Sequence, residues 1–84
     1  MEREKIKQAV YAAISKGSGI PCRDLKDEMR LEDCSIVDSF DFAELAANTE
    51  KKLDVRFHEE AMDKMAKSET IGEYVDNACE ALHV

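Results

Sequence analysis

The sequence predicts an all-α fold, a small four-helix bundle of three principal helices and one short helix, with a long loop between the first two. Three observations predict it. Apolar residues recur at three- and four-residue spacing in separate stretches of the chain. No stretch alternates apolar and polar residues for long enough to build a strand. A chain of 84 residues suits one domain, residues 1–84, because chains this small bury only about 60–65% of the surface they expose when unfolded. That leaves room for a modest core but not for a deep cleft with several buried catalytic groups.

The first helix is expected over residues 3–16. Ile6, Val10 and Ile14 recur every four residues with Ala9 and Ala13 beside them, and Gly17 suits a stop. The breaker cluster Gly17-Ser18-Gly19-Ile20-Pro21 separates it from the long connection Cys22–Val37, whose periodicity is weak. Asp38 then reads as an N-cap whose carboxylate accepts from first-turn amides. The second helix follows over 39–53, with Phe42, Leu45/Ala46, Thr49 and Leu53 at helical spacing, and breaks near Asp54. Ala61, Met62 and Met65 mark a short helix at 59–66. The last helix starts after Thr70, an N-cap with Glu73 at the capping-box position, and carries Ile71, Val75, Ala78, Cys79 and Leu82 on one stripe. The predicted core is Ile6, Val10, Ile14, Leu31, Phe42, Leu45, Leu53, Phe57, Met62, Ile71, Val75 and Leu82.

Composition narrows the function. Net charge is −7, and it is unevenly spread. Residues 1–30 hold five acids and seven bases, whereas residues 31–84 hold fourteen acids and five bases. From Glu32 to Glu44 there are five acids and no base. Such a face repels nucleic acid and anionic membrane and favours partners with Lys/Arg patches, although a merely solvated acidic surface reads the same way. No apolar run approaches the roughly 20 residues of a membrane span. The N-terminus MEREKIKQAV is charged from its second residue, unlike a secretory signal, so a cytoplasmic location is expected; a monomer is expected as well. Cys22, Cys34 and Cys79 are odd in number and lack ligand-spaced histidines, which argues against a disulfide scaffold or a zinc site. All three are expected as reduced thiols in the core or at its boundary.

Ser39 carries the chemical interest. It falls in the first turn of a helix after a long loop, where free amides and the aligned peptide dipoles stabilise a phosphate ester. Simple capping by Asp38 and Ser39 is the alternative, and the two roles are compatible. The wider segment Ser35-Ile36-Val37-Asp38-Ser39-Phe40-Asp41-Phe42-Ala43-Glu44-Leu45 resembles the attachment region of acyl and peptidyl carrier proteins. Those families place Asp-Ser-Leu, or less often Asp-Ser-Met or Asp-Ser-Phe, at the start of their second helix. Asp41, the Glu44-Leu45 pair and Glu50 fall at the family's spacing, Leu53-Asp54-Val55-Arg56-Phe57 resembles its next segment, and Thr70-Ile71 with Val75 resembles the start of its last helix. The resemblance covers nearly the whole chain.

It implies a free-standing acyl carrier protein that is not itself an enzyme. A phosphopantetheine arm, transferred from coenzyme A by a phosphopantetheinyl transferase, would be attached covalently to Ser39. Acyl intermediates would be held on it as thioesters, loaded by an acyl- or aminoacyl-ligase and presented to biosynthetic enzymes with basic docking patches. The arm's thiol supplies the reactive group, so the protein needs no nucleophile of its own. Asp38 and Phe40 would flank the attachment point, and Asp38, Asp41 and Glu44 would be the docking charges. Ile36-Val37 stands where fatty-acid carriers have Leu-Gly and is more similar to D-alanyl and peptidyl-type carriers, which keeps an amino-acid carrier open. Phe40 in place of leucine, Lys51 and Lys52 at the end of the second helix, Arg56, and a longer Met65–Thr70 stretch suggest a specialised carrier. Ala43, Ala46 and Ala47 put small side chains on a core-facing helix, so an apolar slot for cargo is expected unless Phe40 and Phe42 swing inward to fill it. An unmodified helical interaction module is the reading from another class, and retention of Ser39 counts against it. His58-Glu59-Glu60 with Asp63 reads as a solvated acidic first turn rather than a cation site. Met29, Met62 and Met65 read as core fillers. Cys34 sits among acids that disfavour a thiolate.

Overall fold

The computed structural model describes residues 1–84 and forms four helices, α1 (Arg3–Ser18), α2 (Ser39–Leu53), α3 (Glu59–Met65) and α4 (Ile71–Ala81). The small helical bundle expected from periodicity is the fold observed. In α1 the buried residues are Ile6, Ala9, Val10, Ala13 and Ile14, the stripe that the four-residue spacing creates. The helix does not stop at Gly17. It continues through Ser18 and ends at Gly19, where φ is 79° and the amide donates to the Ser15 carbonyl at 2.9 Å. That left-handed cap strongly favours a residue without a Cβ, and Gly19 supplies it.

The long connection is less irregular than its sequence. Short 3₁₀ turns form at Cys22–Asp24 and Leu31–Cys34. The loop is laced to the start of α4: Leu31 N donates to Glu69 O at 2.9 Å, Ile71 N to Met29 O at 3.0 Å and Gly72 N to Asp27 O at 2.8 Å. A Cβ at Gly72 would stand only 3.1 Å from the Asp27 Cβ and 3.2 Å from its carbonyl oxygen, so a glycine permits this approach. Tyr11 on α1 holds the same loop by donating to Asp27 Oδ1 at 2.5 Å. The loop thus becomes a fixed strap across α1 and α4, and it delivers the chain to Ser39 in a set place.

Helix α1 packs on α2 and α4, and α3 packs on α4, whereas α2 makes little contact with α3. The core is one cluster of 18 buried residues drawn from all four helices and the strap. Phe42, Met62 and Leu82, expected inside it, are only half-buried and pack against it. Phe42 and Met62 face the open seam between α2 and α3, and Leu82 lies just past the end of α4. Tyr74 fills the centre instead, wholly buried, its ring centroid 6.4 Å from that of Phe42. Of the three alanines expected to face inward, Ala46 is buried while Ala43 and Ala47 are exposed. Met65 is buried as a core filler, and Met29 is half-buried. Cys34 and Cys79 are buried free thiols, but Cys22 is exposed, because the short turn that carries it buries none of its residues. No helix is long and apolar enough to cross a membrane.

Candidate functional site

The site begins with the way α2 starts. Asp38 has extended backbone geometry and its Oδ1 accepts from Asp41 N at 2.9 Å, the cap expected from sequence. Asp41 reciprocates: its Oδ2 accepts from Asp38 N at 3.3 Å and from Val37 N at 3.0 Å. These two carboxylates form a capping box with aspartate rather than glutamate at its third position. The amides of Val37 and Asp38 hold the Asp41 carboxyl below its ordinary range. Ser39 therefore is not the cap. Asp38 does that work, and the serine stands exposed as the first residue of the helix.

The surroundings of Ser39 are both acidic and apolar. Val37 is 67% exposed and Phe40 is 72% exposed, so two large apolar side chains face solvent on either side of the serine. Phe40 does not swing inward. Glu44, one turn further on, is exposed, as are Glu32 and Asp33 at the foot of the strap. Of the expected docking charges, Asp38 and Asp41 are committed to the helix start, and Glu44 is free to meet a partner.

Ser39 also stands at the rim of a cleft between α2 and α3. This cleft has a volume of about 180 Å³ and is lined by Ser39, Phe42, Ala43, Ala46, Met62, Asp63, Met65, Ala66 and Tyr74. Seven of those nine residues are hydrophobic, the composition of a place for an apolar guest. It exists because α2 hardly touches α3 and because Ala43 and Ala46 remove volume along the seam. The apolar slot expected from the alanines is present, although Ala47 takes no part in it.

No protein-family model matches the chain, and no curated protein matches it significantly.

Sequence reasoning identified Ser39, its acidic neighbours and the alanines, but it missed the residue that floors the cleft. Tyr74 lies three residues after Ile71, on the same face of α4, and an aromatic at that spacing was the available signal. Burial pushes its phenol up from the ordinary range, so it stays protonated at neutral pH. Cys34 lines a smaller cavity, about 60 Å³, on the other side of α2 together with Asp41 and Glu44. Burial, and then the charge of Asp33, push its thiol up, which leaves little thiolate to act as a nucleophile. The residues His58, Glu59, Glu60 and Asp63 are all exposed, and no His58 side-chain bond caps α3.

Proposed function

We propose that the chain is a carrier, whose Ser39 bears a phosphopantetheine arm from coenzyme A and whose cargo rides on that arm as an acyl thioester. The observation that carries this reading is an exposed serine, left out of its own helix cap, at the rim of an apolar cleft. In the transfer step the Ser39 oxygen forms a new bond to phosphorus, the pyrophosphate linkage of coenzyme A breaks, and the nucleotide half departs. A separate transferase does this chemistry. The carrier contributes an accessible hydroxyl, held in place by the Asp38–Asp41 box, and a helix start that favours the resulting phosphodiester.

Two further features suit the role. The exposed pair Val37 and Phe40 gives partners an apolar foothold beside the arm, and Glu44 gives them a charge to steer by. Partners are then enzymes with basic patches: the transferase, a loading ligase and the enzymes that consume the cargo. The cleft favours an acyl cargo over an amino acid, since each methylene it buries gains up to about 0.8 kcal/mol.

The test is direct. Incubation with coenzyme A and a broad-specificity transferase is expected to add the mass of one phosphopantetheine unit to the protein, and Ser39→Ala is expected to abolish the addition. A full addition to the alanine variant, or peptide mapping that puts the arm on Ser35 or a cysteine, would refute the assignment. Cargo class follows from the melting temperature of protein loaded with saturated chains of increasing length. A rise to a plateau supports the acyl reading, and a flat series supports the amino-acid one.

A further inference from the structure

Phe42 lines the cleft at Ser39 and also a second groove of the same volume, about 180 Å³, on the side of the strap. Ala66 lines both as well, and no other residue is common to the two. Phe42 belongs to α2, whereas Ala66 follows the last residue of α3, so the pair stands on opposite sides of the seam and forms the wall between the grooves. Ala66 brings only a methyl group to that wall, and the phenyl ring supplies its bulk. The ring is half-buried, its centroid 6.4 Å from that of Tyr74 with the two planes tilted by 31°. The wall is thus one side chain thick.

The groove beyond the wall has an apolar floor, because Leu31 and Ile36 line it and both are buried. Its charged residues are exposed and already paired: Arg30 Nε donates to Glu32 Oε1 at 2.9 Å, and the same guanidinium lies 4.0 Å from Glu69. A hydrocarbon that passed the ring would therefore still gain by burial there. With the ring in place, methylenes beyond the first groove stay in water and add nothing to stability. Resting on the carrier reading above, we propose that Phe42 is the end wall that sets how long an acyl chain the protein shelters. Phe42 is then a specificity-determining residue for cargo. The cargo class is an acyl chain short enough to end at that ring, rather than the longer one that the two grooves together would hold.

The experiment loads the full chain, wild type and Phe42→Ala, with saturated acyl-phosphopantetheine groups from butanoyl to hexadecanoyl, transferred from the corresponding acyl-coenzyme A thioesters. Each melting temperature is compared with that of the same protein carrying the arm alone. Truncating a half-buried ring lowers every value in the variant's series alike, whereas a removed wall shifts the chain length at which the series levels. In the wild type the rise is expected to level at the length that fills the first groove. In Phe42→Ala it is expected to level several carbons later, and by no more than the wild-type length again, because the two grooves are equal in volume. Levelling at the same length in both proteins would show that the ring does not bound the chain. Should Phe42→Ala fail to fold, Phe42→Leu is expected to level between the two lengths, and a wild-type length there overturns the assignment equally. A flat wild-type series, with the arm mapped to Ser39, overturns this inference and leaves the carrier reading standing. A chain that accepts no arm at Ser39 shows no acyl mass at all, and that result overturns the carrier reading and this inference together.

Discussion

Ser35 is held with φ at 66°, in the left-handed region, at the end of the Leu31–Cys34 turn. An L-residue there brings its Cβ against the following carbonyl, at a cost of roughly 1–2 kcal/mol. Asp54, at φ 55°, closes α2 in the same conformation, but aspartate tolerates that region better than serine does. The strain at Ser35 persists because both sides are fixed: Cys34 before it and Ile36 after it are buried. Ser35→Gly relieves the Cβ contact, and the greater freedom of glycine in the unfolded chain takes back about half of the gain. The expected result is a net stabilisation of about 0.5–1 kcal/mol, read as a higher urea midpoint with an unchanged m-value. A lower midpoint would mean that the serine side chain supports the turn in a way its backbone angle does not reveal. On the carrier reading proposed above, phosphopantetheine addition at Ser39 is expected to be as fast as in wild type, since neither Asp38 nor Asp41 is disturbed.

At the scale of elements, α1, α2 and α4 were readable because both of their determinants are local. Ile6, Val10 and Ile14 fix a stripe within one helix, and Asp38 or Thr70 fixes a helix start within four residues, as when Thr70 Oγ1 accepts from Glu73 N at 3.1 Å. The expected reach of Glu73 to its cap is displaced by one residue, onto the Glu69 amide at 3.4 Å. The strap from Cys22 to Val37 was not readable, because its order comes from the Gly72–Asp27 and Tyr11–Asp27 bonds between distant parts of the chain. The same holds for the site. Ser39 and its box are neighbours in sequence, whereas the cleft and Tyr74 depend on how far α2 stands from α3. The box itself makes a pH prediction. The folded-state pKa of Asp41 is depressed, so its contribution to stability is fully present above the unfolded value, about 3.9, and is lost as pH falls through the lower folded value. Acid unfolding below about pH 4 is therefore expected to lose part of its steepness in Asp41→Asn, which cannot gain that proton. If the two proteins show parallel stability profiles through this range, the titration of Asp41 does not contribute to acid unfolding.

For the whole molecule, charge sets the balance. The protein measures 27 × 25 × 21 Å and carries a net −7. At about 0.01 M salt the Debye length is roughly 30 Å, longer than the molecule, so every acid repels every other; at 0.15 M it is about 8 Å, and only near neighbours count. Screening also weakens the ion pairs Arg3–Asp76, Lys7–Asp27, Arg30–Glu32, Arg30–Glu69 and Lys64–Glu80. Those pairs are largely exposed, and exposed pairs contribute only about 0–1 kcal/mol each. The basic first thirty residues attract the acidic remainder, and salt screens that attraction as well. Self-repulsion within residues 31–84, with fourteen acids against five bases, grows with the square of their charge and outweighs both losses. The melting temperature near neutral pH is therefore expected to rise between about 0.01 and 0.15 M salt, with a divalent cation more effective than sodium at equal ionic strength. Glu44→Lys, which shortens the run of acids from Glu32, is expected to raise the melting temperature at low salt and to reduce the response to added salt. If the chain is the carrier proposed above, Glu44→Lys is also expected to slow loading by a basic transferase, because the charge it removes would steer that partner. A melting temperature that falls with added salt would show that attraction, from the five ion pairs and between the basic first thirty residues and the acidic remainder, outweighs the repulsion among the acids.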